Sequence, residues 1–422
     1  VSKSTVVEAY DRLAAEGAIQ SRPGSGFYVA GPSLPAAPFR PAAKREREVD
    51  PFWIMHQALA PSAGALRPGC GWLPPDWLPE QAIRRHLRAL ARDPECDLLS
   101  YGPPLGYEPL RVQLSRRLAD RGVLAGPDAI LLTDSATAAI DMICRFLLRP
   151  GDAVLIDDPC YYNFQSMLAT HHVRVHAVPY TDTGPDLEAF AQAAQAHAPR
   201  LYITNATLHN PTGGSLAPAT AHRLLKLADR HDIAIVEDDI FADFLEDAPP
   251  RLAALDGLSR VAYVGSFSKT LSASVRCGFI AARPDWIEPL VDLKLATSFG
   301  NCDLSARLAH ALLVDGSYRR HVEAIRGRLA GAMEQVLGQL AATGLTPWLR
   351  PKGGLFLWAA LPDGVDSAAV ARAALAEDVV LAPGNVFSLG QTAGRFLRFN
   401  VAQSADPRNF AVLGDVLRRR LS

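Results

Sequence analysis

Tyr263-Val264-Gly265-Ser266-Phe267-Ser268-Lys269-Thr270 is the most informative stretch of this chain. The apolar run at residues 261–264 indicates a buried strand in a region where strands and helices alternate. It leads into small and hydroxylated residues and then into one lysine. Desolvation at such a place lowers the pKa of a lysine, and its free amine can attack a carbonyl carbon to form a Schiff base. The alternative interpretation is a surface lysine just past a strand end, and the rest of the chain has to decide between the two.

The composition is that of an ordinary globular protein. The chain has 422 residues, of which 49% are hydrophobic and 21% charged, so it is long enough for two or three domains. A net charge of -1 gives no overall attraction to nucleic acid or membrane, although a local basic patch is not excluded. The six cysteines are scattered without a CxxC pair, which argues against a metal site or a disulfide framework and favours a reducing, cytoplasmic location. No apolar run reaches the roughly 18 residues of a membrane-spanning helix.

Residues 1–30 read as a small unit of their own. Ser2 or Ser4 can cap a helix that Gly17 ends, and a hairpin follows with its tip at Arg22-Pro23-Gly24-Ser25-Gly26. Because the chain opens at Val1 inside a helical pattern, we expect it to be a fragment. Residues 31–50 are rich in Pro and Ala and then charged, which predicts a linker.

From residue 51, strands alternate with helices, which predicts a mostly parallel sheet covered by helices on both faces. Thr133-Asp134-Ser135-Ala136-Thr137 follows a predicted strand at 129–132 and precedes a helix from about Ala138. Small hydroxylated residues at a helix N-terminus suit a phosphate, but many such turns bind nothing.

Three further strand ends carry polar or aromatic groups. The strand at 154–156 leads to Tyr161, at the edge where open sheets bind ligands. The strand at 201–204 leads to Asn210-Pro211-Thr212-Gly213, which by itself is only a turn. The strand at 233–236 ends in Glu237-Asp238-Asp239, and we expect at least one of these carboxylates to have a cationic partner. Solvation of all three at the surface is the alternative.

Four signals now stand in one order along the chain: Asn210-Pro211-Thr212-Gly213, Asp238, Ser266-Phe267-Ser268-Lys269 and Arg276. Together they resemble the fold-type I pyridoxal-phosphate family, the class I/II aminotransferases. With the N-terminal unit, the chain is similar to the MocR-type subgroup of GntR regulators. The resemblance runs from Val1 to near the C-terminus and implies pyridoxal 5'-phosphate as the cofactor.

The resemblance also assigns roles. Lys269 is similar to the lysine that holds the cofactor as an internal aldimine and then moves the proton. Asp238 resembles the carboxylate that keeps the pyridine nitrogen protonated, so that the ring is an electron sink. Asn210 resembles the residue bonded to the ring oxygen, and Tyr161 would stack on the ring. Arg398 resembles the fork that binds a substrate carboxylate, a geometry that lysine cannot reproduce.

A second group would hold the phosphate, with Tyr101 reaching it from the partner subunit of a homodimer. The group consists of Ser135, Ala136, Thr137, Ser266, Ser268 and Arg276. Two departures from the family pattern stand out. Phe241 occupies a place where many relatives carry a tyrosine whose hydroxyl meets the ring oxygen. The Ser-Ala-Thr sequence replaces a pattern that more often has Gly first and Gln third.

The N-terminal unit resembles the second half of a winged helix-turn-helix. In that module the helix enters the major groove, and its polar residues contact phosphates and base edges. The resemblance assigns DNA contacts to Ser2, Lys3, Ser4, Thr5 and, at the wing, Arg22. We expect operator DNA to be a partner of the full-length protein. An ordinary helix and hairpin packed on the next domain is the alternative.

The predicted fold class is α/β. A large doubly wound domain that binds the cofactor would span residues 51–318, and a smaller C-terminal α/β domain would span 319–422. Two functions stay open. The first is a transcriptional regulator that senses an amino acid or amine as an external aldimine. The second is a working aminotransferase, acting between an amino acid and a 2-oxo acid, with a vestigial DNA-binding segment. A scaffold without cofactor fits poorly, because the set of site residues is present.

Overall fold

The structure is a computed structural model that describes residues 2–30, 48–59, 62 and 64–421. The predicted linker at 31–50 lies outside the described residues except for its last three positions. The chain divides into two compact units, Val1–Glu48 and Val49–Ser422.

The first unit contains one helix and one hairpin. Helix α1 spans Lys3–Ala15, and the Ser2 side chain caps it by accepting a hydrogen bond from the Thr5 amide at 3.2 Å. Strands β1 (Ile19–Arg22) and β2 (Gly26–Val29) pair antiparallel. The ring of Tyr10 on α1 lies 4.7 Å from the ring of Phe27 on β2. The predicted helix and hairpin are therefore confirmed.

The second unit alternates strands and helices as far as its middle, continues with three successive helices, and ends in short strands mixed with helices. Its helices are α2 (Pro51–Leu59), α3 (Glu80–Leu90), α4 (Glu108–Ala119), α5 (Ala136–Leu147), α6 (Tyr162–Thr170), α7 (Leu187–His197), α8 (Pro218–Arg230), α9 (Leu252–Asp256), α10 (Pro284–Ser298), α11 (Asp303–Val314), α12 (Ser317–Ala342), α13 (Ser367–Leu375), α14 (Val401–Ser404) and α15 (Arg408–Leu421). Its strands are β3 (Ile130–Thr133), β4 (Ala153–Asp158), β5 (Arg174–Thr181), β6 (Gly184–Pro185), β7 (Leu201–Thr204), β8 (Ala234–Asp238), β9 (Val261–Ser266), β10 (Gly278–Ala281), β11 (Thr346–Pro347), β12 (Phe356–Ala360), β13 (Ala382–Pro383) and β14 (Phe396–Asn400). None of the helices in the described residues has a segment apolar and long enough to cross a membrane.

The large sheet has eight strands in the order β3-β10-β9-β8-β7-β4-β5-β6. Its centre is parallel, since β5, β4, β7, β8 and β9 pair in that sense. Strand β10 runs antiparallel between β3 and β9. Because parallel strands end at one edge, the segments that follow β4, β7, β8 and β9 lie at the same edge of the sheet.

Both faces of this sheet are buried, which explains the continuous apolar runs. On β4, Leu155 packs into one hydrophobic cluster, while Val154 and Ile156 pack into another on the opposite face. On β9, Tyr263 and Val264 alternate in the same way. Helices therefore cover the sheet on both sides, and the predicted doubly wound arrangement is confirmed.

A smaller sheet near the C-terminus has the order β11-β12-β14-β13. Trp53 and Ile54 of α2 belong to the same hydrophobic cluster as the residues of this sheet. The segment at 66–70 also runs beside it, because the Gly69 amide donates to Val380 O at 2.9 Å and the Asn400 amide donates to Pro68 O at 2.7 Å. Helix α12 spans residue 318, and the proposed division into large and small domains at that point stays a prediction.

Candidate active site

Lys269 follows β9 by three residues and lies beside the segment at 69–71. Its Nζ donates a hydrogen bond to Gly71 O at 2.8 Å. Burial lowers the pKa of this amine from 10.5 to about 8, and the positive charge of Arg398 acts in the same direction, while Asp238 opposes it. The lysine therefore has a free-amine form at accessible pH, and the interpretation as an ordinary surface lysine is wrong.

The three carboxylates at the end of β8 have three different environments. Glu237 accepts from the amides of Leu252 and Ala253 at 2.8 and 2.9 Å, so it caps α9. Asp239 pairs with Arg251 at 3.0 Å, which confirms the predicted cationic partner. All three residues are at most 3% exposed, so the alternative of surface solvation is wrong.

Asp238 has a different environment, because its carboxylate accepts from a backbone amide and not from an arginine. The Ile240 amide donates to its Oδ1 at 3.3 Å, and Asn205 Nδ2 donates to its backbone oxygen at 3.0 Å. Burial raises the pKa of Asp238 to about 7, despite these donors and the nearby Lys269. The site thus contains a carboxylate that a cation would stabilise in its ionised form.

Arg398 and Asn210 contact each other although 188 residues separate them. Arg398 Nη1 donates to Asn210 Oδ1 at 2.8 Å, and Nη2 donates to Gly69 O at 2.6 Å. Because a guanidinium only donates, the amide oxygen of Asn210 faces Arg398, and its NH2 group remains available as a donor. The guanidinium lies between the rings of Phe356 and Phe387, with centroid distances of 4.4 and 4.7 Å. Arg398 is 1% exposed, and its Nε has no hydrogen-bond partner among the described residues.

A cavity of about 180 Å³ at the carboxyl edge of the large sheet brings most of the predicted residues together. The predicted residues that line it are Ser135, Ala136, Thr137, Tyr161, Asp238, Ser268, Lys269 and Arg276. Ser266 does not line the cavity itself, but its Oγ lies 3.2 Å from Oγ of Ser268, which does. Asn210 and Arg398 adjoin the same lysine, since a Cβ added at Gly71 would lie 3.8 Å from Lys269 Nζ and 3.9 Å from Arg398 Nη2.

One end of the cavity is built from a helix N-terminus. Helix α5 begins at Ala136 and not near Ala138, because Ser135 is the N-cap and its Oγ accepts from the Ala138 amide at 3.0 Å. Ala136 and Thr137 are therefore the first two helical residues, whose N–H groups have no partner within the helix. With Ser268 and Arg276 on the same cavity, this end has the donors that an anion needs.

Other predicted residues lie elsewhere. Tyr101 is 80% exposed, and its ring lies 4.8 Å from that of Phe299. The predicted DNA contacts belong to the first unit, where Ser2, Lys3, Ser4, Thr5 and Arg22 are all exposed. The guanidinium of Arg22 lies 5.0 Å from the ring centroid of Tyr28.

Sequence reasoning missed the segment Gly69-Cys70-Gly71-Trp72, which closes the site on one side. Trp72 lines the cavity, and two backbone oxygens of the segment accept from Lys269 and Arg398. The signal was the pair of glycines. A Cβ at Gly69 would lie only 2.5 Å from the backbone of residues 381 and 382. Phe241, at the position where many relatives carry a tyrosine, is buried, and its ring centroid lies 5.9 Å from Lys269 Nζ. Its neighbour Ile240 lines the cavity, so these two residues supply no hydroxyl group to it.

The residues present fit pyridoxal 5'-phosphate. An aldehyde requires an amine, a pyridine nitrogen requires a carboxylate, a phenolic oxygen requires a donor, and a phosphate requires N–H and hydroxyl groups. Lys269, Asp238, Asn210 and the α5 end of the cavity offer these in turn. Arg398, whose Nε has no hydrogen-bond partner among the residues that the structure describes, offers a carboxylate anchor beside them.

Comparison with known proteins agrees with this fit. The family described as aminotransferase class I and II matches residues 76–412. The chain is 29% identical over 436 residues to the uncharacterized HTH-type transcriptional regulator YdcR of Escherichia coli strain K12, which covers 100% of this chain and 92% of the relative. It is 30% identical over 349 residues to a 2-aminoadipate transaminase of Thermus thermophilus, covering 80% of this chain and 86% of that enzyme.

A solved structure is similar over most of the chain. It is LysN, an alpha-aminoadipate aminotransferase of Thermus thermophilus complexed with N-(5'-phosphopyridoxyl)-L-leucine, at a TM-score of 0.80 and 28% identity over 87% of this chain and 95% of that one. The predicted resemblance to regulators that carry an aminotransferase domain is confirmed, and the matches support the predicted cofactor. The chain belongs to the aminotransferase class I and II family.

Proposed function

We propose that this chain is a pyridoxal-phosphate-dependent transcriptional regulator of the MocR type, in which Lys269 holds the cofactor and an amino acid or amine is the signal. The observation that carries the proposal is the convergence of Lys269, Asp238, Asn210 and Arg398 around one cavity edge. These groups come from four separate segments, and each supplies a different part of the chemistry that the cofactor and its ligand need.

When bound, the cofactor supplies an aldehyde and an electron-withdrawing ring. Lys269 provides the amine that attaches it, and a pKa of about 8 leaves a usable fraction neutral. Asp238, once ionised, would hold a proton on the ring nitrogen. The free NH2 group of Asn210 would donate toward the ring oxygen, and Tyr161 would cover the ring. Arg398 orients a ligand carboxylate, and its aromatic surroundings exclude water.

The regulator is favoured by the first unit. Its helix and hairpin match the second half of a winged module, and the relative YdcR, named a transcriptional regulator, matches along the whole of this chain. The proposal includes operator DNA as a partner of the full-length protein, through Ser2, Lys3, Ser4, Thr5 and Arg22. It also includes a homodimer in which Tyr101 of one subunit reaches the phosphate of the other, and a cytoplasmic location.

A working aminotransferase is the second candidate. It is favoured by the complete set of Lys269, Asp238, Asn210 and Arg398, and by the 2-aminoadipate transaminase among the relatives. Discrimination requires an assay of turnover and an assay of DNA binding on the same ligands. Sustained transfer to 2-oxoglutarate identifies the enzyme. A spectral response to an amino acid without turnover, with a change in operator binding by the full-length protein, identifies the regulator.

The first test is the site of attachment. The protein is incubated with pyridoxal phosphate, reduced with borohydride and digested for mass spectrometry. We expect the modification on Lys269 and not on Lys294, which is the matched control because burial also lowers its pKa to about 8. Lys294 Nζ instead donates to Pro104 O and Asn301 Oδ1, both at 2.7 Å. Modification of Lys294, or none at Lys269, overturns the proposal.

A further inference from the structure

A continuous chain of buried and partly buried polar side chains runs behind the site. It begins at Asp239, the neighbour of Asp238, and ends at Thr270, the neighbour of Lys269. Asp238 and Lys269 line the cavity, whereas Asp239 and Thr270 do not. The chain of contacts therefore joins the backs of the two segments that carry the principal site residues.

The first half of this chain starts from the carboxylate of Asp239. Tyr263 of β9 donates its hydroxyl to Asp239 Oδ2 at 2.9 Å. Arg121 Nη1 donates to that same hydroxyl at 3.2 Å. The other nitrogen of the fork, Arg121 Nη2, donates to Asp243 Oδ1. Asp239 and Tyr263 are at most 3% exposed, whereas the side chains of Arg121 and Asp243 are each 17% exposed.

The second half starts from Asp243 and reaches the turn of the lysine. Tyr318 donates its hydroxyl to Asp243 Oδ2. The hydroxyl oxygen of Tyr318 also lies 2.8 Å from Thr270 Oγ1. Because the tyrosine donates its proton to Asp243, Thr270 is the donor of this second bond. Thr270 is 1% exposed and Tyr318 is 2% exposed. The tyrosine thus fixes the hydroxyl of the residue next to Lys269.

Asp243 joins the two halves of the chain of contacts, and two arginines compensate its negative charge. Burial alone would raise the pKa of this carboxyl, but Arg121 and Arg117 outweigh burial, so its pKa lies below the usual value. Arg117 Nη2 donates to Asp243 Oδ1 at 2.8 Å. An ionised carboxylate is a strong acceptor, and it holds the Tyr318 hydroxyl in one orientation.

Helix α12 provides two more contacts to the same place. His321 Nε2 donates to Thr270 O at 2.8 Å, and Arg326 Nε donates to Asp243 O at 2.7 Å. One helix face, at residues 318, 321 and 326, therefore supports both the lysine turn and the junction. Such support matters because a reacting amine has to be held within about 0.5 Å of its productive position.

From this arrangement we propose that Tyr318 is a positioning residue for Lys269, acting through Thr270, with Asp243 and Arg121 orienting the tyrosine. This inference rests on the proposed function, since it takes Lys269 as the residue that holds the cofactor. Tyr318 itself does not line the cavity, and its effect passes through the backbone between residues 269 and 270.

The test compares two buried tyrosines that each donate to a carboxylate. Tyr318→Phe removes the bond to Thr270 and Asp243, while Tyr202→Phe removes a bond to Asp157, between strands β7 and β4. We expect both variants to lose similar thermal stability. Only Tyr318→Phe should slow the attachment of pyridoxal phosphate to Lys269, by about five- to tenfold, the factor expected for one buried hydrogen bond. It alone should also move the pH midpoint for acetylation of Lys269 in the cofactor-free protein.

Two variants of the threonine complete the design. Thr270→Val should attach the cofactor as slowly as Tyr318→Phe, whereas Thr270→Ser, which keeps the hydroxyl, should attach it at the wild-type rate. The double variant of Thr270→Val with Tyr318→Phe should be no slower than either single variant. Equal rates for Tyr318→Phe and Tyr202→Phe, or additive effects in the double variant, overturn the inference. If the wild-type protein itself fails to attach the cofactor at Lys269, the proposed function is refuted and not the role of Tyr318. If Tyr318→Phe does not fold, the Val and Ser variants of Thr270 decide alone.

Discussion

Asp238→Asn is expected to stabilise the cofactor-free protein while impairing its function. Asp238 is 3% exposed, and burial raises its pKa from 3.8 to about 7. Above that pH the folded protein has to hold an ionised carboxylate, and among the described residues the nearby Lys269 is the cation that favours this form. The difference is about three pKa units, and each unit corresponds to about 1.36 kcal/mol, so the cost is roughly 4 kcal/mol at most. An amide at this position avoids that cost.

The sign of the pH dependence follows from the same difference. Below pH 4 the carboxyl is protonated in both the folded and the unfolded protein, and Asp238→Asn changes little. Between pH 4 and pH 7 the unfolded chain ionises first, so the wild-type protein loses stability as the pH rises. The gain from the variant should therefore grow across this interval and stay constant above it.

The assay is chemical unfolding of the cofactor-free protein at pH 5 and pH 8, with Asp239→Asn as the matched control. Asp239 is equally buried and adjacent, but it pairs with Arg251 at 3.0 Å. Its replacement leaves a buried arginine unpaired and should cost about 3–5 kcal/mol. Added cofactor should stabilise wild type more than Asp238→Asn. Destabilisation by Asp238→Asn at pH 8, or a gain that is the same at both pH values, would refute the reasoning.

Three further predictions concern the same site. The rate at which Lys269 is acetylated in the cofactor-free protein should rise with pH and reach half its maximum near pH 8, as followed by mass spectrometry, because burial lowers the pKa of this amine. Arg398→Lys should weaken the spectral response to carboxylate ligands by roughly 10- to 100-fold, since lysine cannot form the fork, while amines without a carboxylate should respond as before. Gly69→Ala should destabilise the fold by about 1–3 kcal/mol in thermal unfolding, because its Cβ would lie 2.5 Å from neighbouring backbone, whereas Gly71→Ala should fold normally and slow cofactor attachment through a methyl 3.8 Å from Lys269 Nζ.

The part of the site that was predicted from the sequence lies at strand ends. Residues at or just after the ends of β4, β8 and β9 can be predicted because an apolar run indicates a buried strand, and parallel strands end at one edge. That rule places Tyr161, Asp238 and Lys269 together without knowledge of the loops between them. The start of α5 was predicted two residues late, because Ser135, Ala136 and Thr137 form no apolar period, and only the cap geometry defines the first turn.

The part that was missed has no regular structure. The segment at 69–72 contacts Lys269 and Arg398 across 198 and 329 residues of sequence, and its position depends on its pairing with residues near 380. No local period records such a contact. The chain of contacts from Asp239 to Thr270 was equally hidden, since the positions of Arg121 and Tyr318 in the sequence indicate only packing.

The charges of the site explain how one pocket serves either an enzyme or a sensor. In the protein without cofactor, burial works against the ionised form of Asp238 and the charged form of Lys269, and Arg398 Nε has no partner in the described part of the chain. A cation beside Asp238 would offset the first cost, covalent attachment at Lys269 would remove the second, and a ligand carboxylate would satisfy Arg398 Nε. Loading therefore stabilises the folded state at several groups at once, and any ligand that replaces one of these contacts changes that stability. Because Tyr318 and His321 connect the lysine turn to α12, we expect such a change to reach beyond the cavity to the helix that leads into the C-terminal sheet.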